Sequence, residues 1–460
     1  MHRFHCRFLD ENLDPALSSR VLFQTDVAAN GALHFFVMGC MRMGKPILLY
    51  ATILACVATP AFATPRCDTN NGGLTLPAGF CAKLVANNIG PARNAVTAAN
   101  GDLYVTLQEG PNQSGGVVAL RDADNDGTFE SIEKFGTGSG TGIAFHDGYL
   151  YVAQPYQTVR WRMTPGELLP KGPMEVVVTG FDHQGGHRDK GITFDDKGAM
   201  YVTVGSPSNA CQVKDREKGS PGQDPCPILD LHGGLWKFDA NKLNQKQTDG
   251  TRVVTGLRQA LTADWAYGAV YMVMNSRDQI DILYPEKFTA EDNADRPAET
   301  MFRAEHGRNF GWPFCYFDLK TQKMVLNPEY GGDGKTVGRC NTFTPPVAVF
   351  PAHSAPVGLQ FYKGNAFGGH YAGGAFVAFH GSWNRAPLAQ REGNITFVPF
   401  VNGKAGIPEI FASGFAGKAQ IMQPNEAAAR PNGVAEAPDG SLYIVDNVKG
   451  TIWRIFHRAH

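Results

Sequence analysis

The chain has 460 residues, and its 42 Lys+Arg almost cancel its 43 Asp+Glu, leaving a formal net charge of -1. That balance excludes nucleic-acid or anionic-membrane binding driven by bulk electrostatics, and 43% hydrophobic against 18% charged residues argues against disorder. With 53 Gly and 29 Pro, long uninterrupted helices are not expected.

Residues 41–63 read as a secretory leader: Arg42 and Lys45 as the basic start, Ile47 to Val57 as the apolar stretch, and Ala61-Phe62-Ala63 as an A-x-A cleavage site. The apolar run is short for a membrane span, and Ile53 to Cys56 only weakly resembles a lipoprotein box. Residues 1–40 are then an extension ahead of the true start at Met41 or Met43, and 64–460 form the mature domain, with no membrane span expected. Removing the leader leaves Cys67, Cys81, Cys211, Cys226, Cys315 and Cys340, an even set that fits three disulfides in an exported protein. Six cysteines allow 15 connectivities; the local pairs 67–81, 211–226 and 315–340 are the simplest. No spacing suggests zinc.

One pattern recurs along the chain: small apolar residues, a turn with Gly or Asp, then an alternating aromatic strand. It is clear at 95–108, 142–154, 191–206 and 433–447, and weaker at 264–276 and 358–383. Each copy reads as a hairpin with glycine in the turn. Six copies predict an all-β, six-bladed β-propeller, with a β-sandwich as the less regular alternative. The terminal strand 450–456 is expected to pair with Phe80 to Val85 and close the ring. Function is then expected in the loops between repeats.

Asp122, Asp124 and Asp126, followed by Gly127 and by Glu133 at the twelfth position, supply hard oxygen ligands in the spacing of a calcium loop. No helical pattern flanks them, so the loop joins strands. The stretch Asp182 to Lys190 holds His183 and His187 in a Gly-rich loop, either of which is a candidate general base. Gly256 to Gln259, Asn275 to Asp278, Gly307 to Pro313, His353 to Lys363 and His380 to Arg385 add polar and aromatic loop residues. No G-x-S-x-G, Walker loop or dinucleotide-binding glycine pattern is present.

Taken in order, GGHRDKGITFDDKGAMYVTVGSPSNAC, GLRQAL, NSRDQID, GRNFGWPFCYFD, HSAPVGLQFYKG and HGSWNR resemble the glucose/sorbosone dehydrogenase family, most of all its sorbosone-dehydrogenase-like branch, over residues 75–458. The resemblance implies a periplasmic propeller using pyrroloquinoline quinone (PQQ) and calcium to oxidise a sugar or related aldehyde, with an external electron acceptor. It implies His187 as the base, with His183 as fallback, and Arg258 as the group that stabilises developing negative charge. Lys190, Asn209, Gln259, Lys363, Trp383 and Arg385 become candidates for cofactor contacts, and the backbone of Ser276, Arg277 and Asp278 for holding the cofactor's calcium. Lys190, Gln259 and Ser276 stand where the family commonly has Arg, Asn and Gly. Two other classes remain open from sequence: a calcium-dependent propeller lactonase, which would need inward carboxylates, and a non-catalytic binding propeller, for which His187, Arg258 and Arg385 would not converge.

Overall fold

The computed structural model describes strands Phe23–Val27 and Leu33–Val37 and residues 66–458, apart from Asn125 and residues 183–185. The first two strands pair antiparallel within a separate unit, residues 1–61. The expected leader and His183 lie outside the described residues.

Residues from 80 onward form the six blades of the propeller, each of four antiparallel strands, with Gln245–Lys246 added parallel to the edge of blade two. Blade one runs from Ala92 to Phe135, blade two from Ile143 to Thr179, and blade three from Ile192 to Thr255. Blade four runs from Thr262 to Phe350 and blade five from Pro356 to Ala412. Blade six combines Pro431–Glu436, Leu442–Asp446 and Ile452–His457 with Phe80–Ala86, which pairs antiparallel with the last strand of the chain. The ring therefore closes as the sequence predicts. Each sequence repeat is the innermost hairpin of one blade, and the core lies between adjacent blades, where both faces of each sheet are covered.

The glycines of the repeats do two different jobs. Asp147-Gly148 and Tyr267-Gly268 are two-residue hairpin turns with positive φ at both positions, 46° and 76°, then 48° and 69°, as a type I′ turn requires. Gly191 and Gly433, which open their repeats, are not turn residues. A Cβ on Gly191 would sit 2.7 Å from the backbone of Thr262, and one on Gly433 would sit 2.5 Å from the carbonyl oxygen of Arg93. These glycines let neighbouring innermost strands approach around the axis. The expectation that the repeat glycines are all turns is corrected accordingly.

All six innermost strands run the same way, so the loops entering them and the loops leaving their partner strands share one end of the ring. Two disulfides brace this end of the ring, one of them in the long excursion between the third and fourth strands of blade four. Cys211–Cys226 and Cys315–Cys340 form, as does Cys67–Cys81 near the N-terminal strand of the ring; the local pairing is the observed one. The first two share an apolar cluster with Trp312 and Phe314, which ties the long loop of blade three to that of blade four.

Candidate functional site

At the loop end of the ring, His187 precedes the innermost strand of blade three in a left-handed conformation, φ 61°, uncommon for a residue with a Cβ. Its ring Nδ1 lies 2.6 Å from the carbonyl oxygen of Ser206. A carbonyl can only accept, so Nδ1 carries the hydrogen and Nε2 keeps its lone pair. Burial, then the Arg258 guanidinium, push the His187 pKa down to about 3, so the ring is neutral at working pH. Gly205 makes this geometry possible: any Cβ there would collide with the His187 carbonyl and the Gln259 side chain.

Arg258 enters the same space from the loop before blade four. It is 3% exposed, and its Nη2 meets Asp278 Oδ2 at 2.6 Å and Asn209 Oδ1 at 3.1 Å. Asp278 also accepts from Arg216 at 3.1 Å and Asn384 at 2.6 Å. Burial, the largest influence on Asp278, opposes its charge, but Arg258, His353 and Arg216 outweigh it and hold the carboxyl well below the usual range. Asn209 closes the network: its amide donates to the Asp278 carbonyl at 3.0 Å, and Trp312 donates its indole N–H to the Asn209 carbonyl at 2.9 Å. Glu299 lies beneath, accepting from the backbone of Ser276 at 2.6 Å and Ala355 at 3.2 Å; burial raises its pKa to about 8.

The structure thus brings His187, Arg258, Asn209, Gln259 and Asp278 together, and the side chains expected to complete them go elsewhere. Lys190 is 2% exposed and donates to the carbonyls of Pro155 and Arg188 at 2.8 and 2.9 Å. Burial lowers its pKa to about 8. It braces the His187 loop from below instead of facing the opening. Arg385 is 8% exposed and is held by the carbonyls of Ala294 and Ala389 and by Asp295; it does not join Arg258. Trp383 stands 68% exposed on the rim. Arg277 turns away into a buried pair with Glu329, and the Ser276 amide and Asp278 carbonyl are already engaged by Glu299 and Asn209. Lys363 follows the far end of the innermost strand of blade five. It borders a separate cavity of about 530 Å³ at the opposite mouth, with Phe194, Trp265 and Glu436.

Arg93 and Asn432, which the sequence left unmarked, take part, as does His380, singled out only as the start of a loop motif. Arg93, on the innermost strand of blade one, pairs with Asp189. His380 faces Asn447, and burial followed by Arg430 and Arg93 lowers its pKa to about 3. The side-chain atoms Arg93 Nε, Arg258 Nε, Gln259 Oε1, Asn384 Oδ1 and both amide atoms of Asn432 are buried without a hydrogen-bond partner among the described residues. All five residues lie at the loop end of the innermost strands. Leaving such groups unpaired is costly, so their common location points to something polar that binds there.

The calcium-loop carboxylates are elsewhere, on the turn between the two outer strands of blade one. Asp122, Asp124 and Asp126 cluster as expected, but the fourth member is Glu130, not Glu133. Ser131–Phe135 is already strand, and Glu133 pairs in the ladder opposite Ala119. Without a following helix, the twelfth position is carried away from the loop.

Residues 74–458 match the TrAA12-like family. The chain belongs to this family. That agrees with the resemblance to glucose/sorbosone dehydrogenases read from the motifs. A search of curated proteins finds 25% identity over 300 residues to an uncharacterised protein of Borreliella burgdorferi, 65% of either length. It also finds 25% identity over 193 residues to a pyrroloquinoline quinone-dependent pyranose dehydrogenase of Coprinopsis cinerea. The latter match covers 37% of this chain and 26% of that enzyme. Among solved structures, the calcium structure of the Trichoderma reesei family AA12 enzyme superposes with TM-score 0.67 at 19% identity, covering 84% of this chain and 97% of that one. The holo form of the Coprinopsis cinerea pyranose dehydrogenase PQQ domain gives 0.64 at 18%, covering 85% and 98%. These superpositions carry the fold.

Proposed function

We infer that the chain is a PQQ-dependent dehydrogenase of sugars or related aldehydes and alcohols. The observation that carries this reading is the set of unpaired buried groups at the loop end of the ring, two of them guanidinium nitrogens. A planar tricarboxylate suits this donor set: Arg93 Nε, Arg258 Nε and Asn432 Nδ2 are donors without acceptors among the described residues. When bound, the quinone supplies a two-electron acceptor for hydride. His187, neutral and with no partner for Nε2 among the described residues, accepts the substrate hydroxyl proton. Arg258, fixed by Asp278 and Asn209, stabilises negative charge growing on the substrate oxygen. Calcium binding through the Ser276–Asp278 backbone remains part of this proposal and requires the Asn209–Asp278 contact to open.

The family assignment and the Coprinopsis relative support the reading. Three disulfides suit an oxidising compartment, and we place the mature domain, residues 64–460, outside the cytoplasm, periplasmic or secreted. Among the described residues no helix is long and apolar enough to cross a membrane. The lactonase alternative is less well served: the inward carboxylates Asp278 and Asp189 are already paired with Arg258 and Arg93, and the group of clustered acidic ligands found among the described residues is on the outer turn of blade one.

The test is reconstitution. Apo-protein given PQQ with calcium is expected to gain dye-linked oxidation of an aldose, sorbosone or a simple aldehyde. No gain across that panel, together with no spectral change of PQQ on mixing, overturns the reading.

A further inference from the structure

Asp122, Asp124, Asp126 and Glu130 each offer a carboxylate oxygen, and these oxygens lie within 4.8 Å of one another. Three of the four are exposed and accept backbone N–H groups of the turn, so water and the turn share their charge, but carboxylates this close also form a set of hard oxygen ligands. A second observation is independent of that crowding. The Asp122 side chain is only 7% exposed, yet its Oδ1 is buried with no hydrogen-bond partner among the described residues. The other oxygen, Oδ2, is used by the backbone N–H of Gly127 at 2.9 Å. A buried carboxylate oxygen without a donor is expensive to keep, and a metal ligand has no such deficit.

The surroundings say what such a metal would do. The turn leans on the strand that closes the ring. Lys83, from Phe80–Ala86, donates to the carbonyl of Asp126 at 2.9 Å and to Thr128 at 3.2 Å. Arg454, from the terminal strand paired with it, lies 3.7 Å from Asp122 Oδ2. Phe129, inside the turn, is buried against Tyr443 of blade six with ring centroids 6.0 Å apart. Among the described residues, blade six joins the first strand of the ring to its last three, so its outer pair is held by no covalent connection within the blade and is a natural place for the ring to open.

We propose that these four carboxylates bind a calcium ion that clasps the outer turn of blade one onto the closing strands of blade six. The ligand set is all oxygen and carboxylate-rich, which suits calcium better than the smaller, stricter magnesium. The site is at the end of the blades away from His187 and does not depend on the quinone reading.

The experiment uses the full chain, stripped with chelator and kept free of PQQ. Thermal unfolding and amide hydrogen exchange are followed with calcium alone as the probe, in wild type and in the double variant Asp124→Asn, Glu130→Gln. Both changes are at exposed side chains, so folding of the variant is checked by its melting temperature in chelator, expected to equal or exceed that of wild type. Wild type is expected to gain about 3 to 5 °C at a calcium concentration roughly a hundredfold above its Kd, and the variant to lose most of that gain. Exchange is expected to slow in 80–86 and 452–457 as well as in 113–135. An equal calcium shift in the variant overturns the site, as does no shift in wild type up to about 10 mM calcium. Protection confined to 122–130 overturns the clasp.

Discussion

Arg258 Nη2 and Asp278 Oδ2 meet at 2.6 Å inside the ring, where Arg258 is 3% exposed. Each would be prohibitively expensive to bury alone, and each therefore fixes the other. Asp278→Asn keeps the shape but removes the counter-charge of Arg258. It should cost about 3 to 5 kcal/mol of stability, read as a lower urea midpoint with an unchanged slope. Pairing it with Arg258→Met should recover a large part of that loss, and a double-mutant cycle measures the coupling. If the two losses simply add, the pair is not the unit described.

The axial glycines give a second prediction. Gly433→Ala places a methyl 2.5 Å from a backbone carbonyl of the next blade, where nothing flexible can yield. Gly148→Ala meets nothing within 4 Å and is strained only by its φ of 76°. The first should destabilise by about 1 to 3 kcal/mol or prevent folding, the second by about 1 kcal/mol. The order of the two melting temperatures checks it.

The ring was legible because each repeat is an innermost hairpin, and period-two alternation survives wherever one blade packs on the next. The disulfides were legible because local pairing matched loop length. The loop end of the site was less so. Position along the chain put His187 and Arg258 at the same end, but it could not show that Lys190 and Arg385 have their donors taken by backbone carbonyls, since a long cationic side chain can reach in several directions. Lys363 misled for a related reason: it closes a motif that opens with His353, and the strand between them carries it to the opposite mouth. Arg93 and Asn432 had a signal that could have been used. Each is the second residue of a short innermost strand rich in small residues, where a polar side chain sits next to the entering loop. Glu133 obeyed a spacing that presumes a helix after the loop, whereas the chain leaves in a strand.

The disulfide between Cys211 and Cys226 should matter beyond stability. It shares a cluster with Trp312, whose indole N–H holds the Asn209 carbonyl, and Asn209 in turn holds both Arg258 and Asp278. Replacing both cysteines by serine should cost about 2 to 4 kcal/mol. It should also lower kcat of the reconstituted enzyme more than the equivalent change at Cys67 and Cys81, which lie by the closing strand. Equal losses of kcat from the two pairs would show that the brace does not reach the site.

Finally, the buried histidines set the acid limb of stability. His187 and His380 have folded pKa values near 3, from burial first and neighbouring guanidiniums second, against about 6.5 unfolded. The unfolded chain therefore binds more protons than the folded one between those values, so stability rises with pH across that window. The contribution is complete above about 6.5 and is lost as pH falls towards 3, at about 1.4 kcal/mol per pH unit for each histidine. Glu299 acts in the opposite sense: raised to about 8 by burial, it favours the folded state below its unfolded value near 4.5 and loses that contribution as pH rises through 8. These groups place the stability maximum near neutrality. His380→Gln retains a hydrogen-bonding group opposite Asn447 and removes one titrating site. It should flatten the slope of unfolding free energy between pH 6 and 4 by up to that per-histidine amount, measured by urea denaturation across the range. An unchanged slope would mean that His380 is protonated in the folded protein, with Asn447 rather than the two arginines governing its charge.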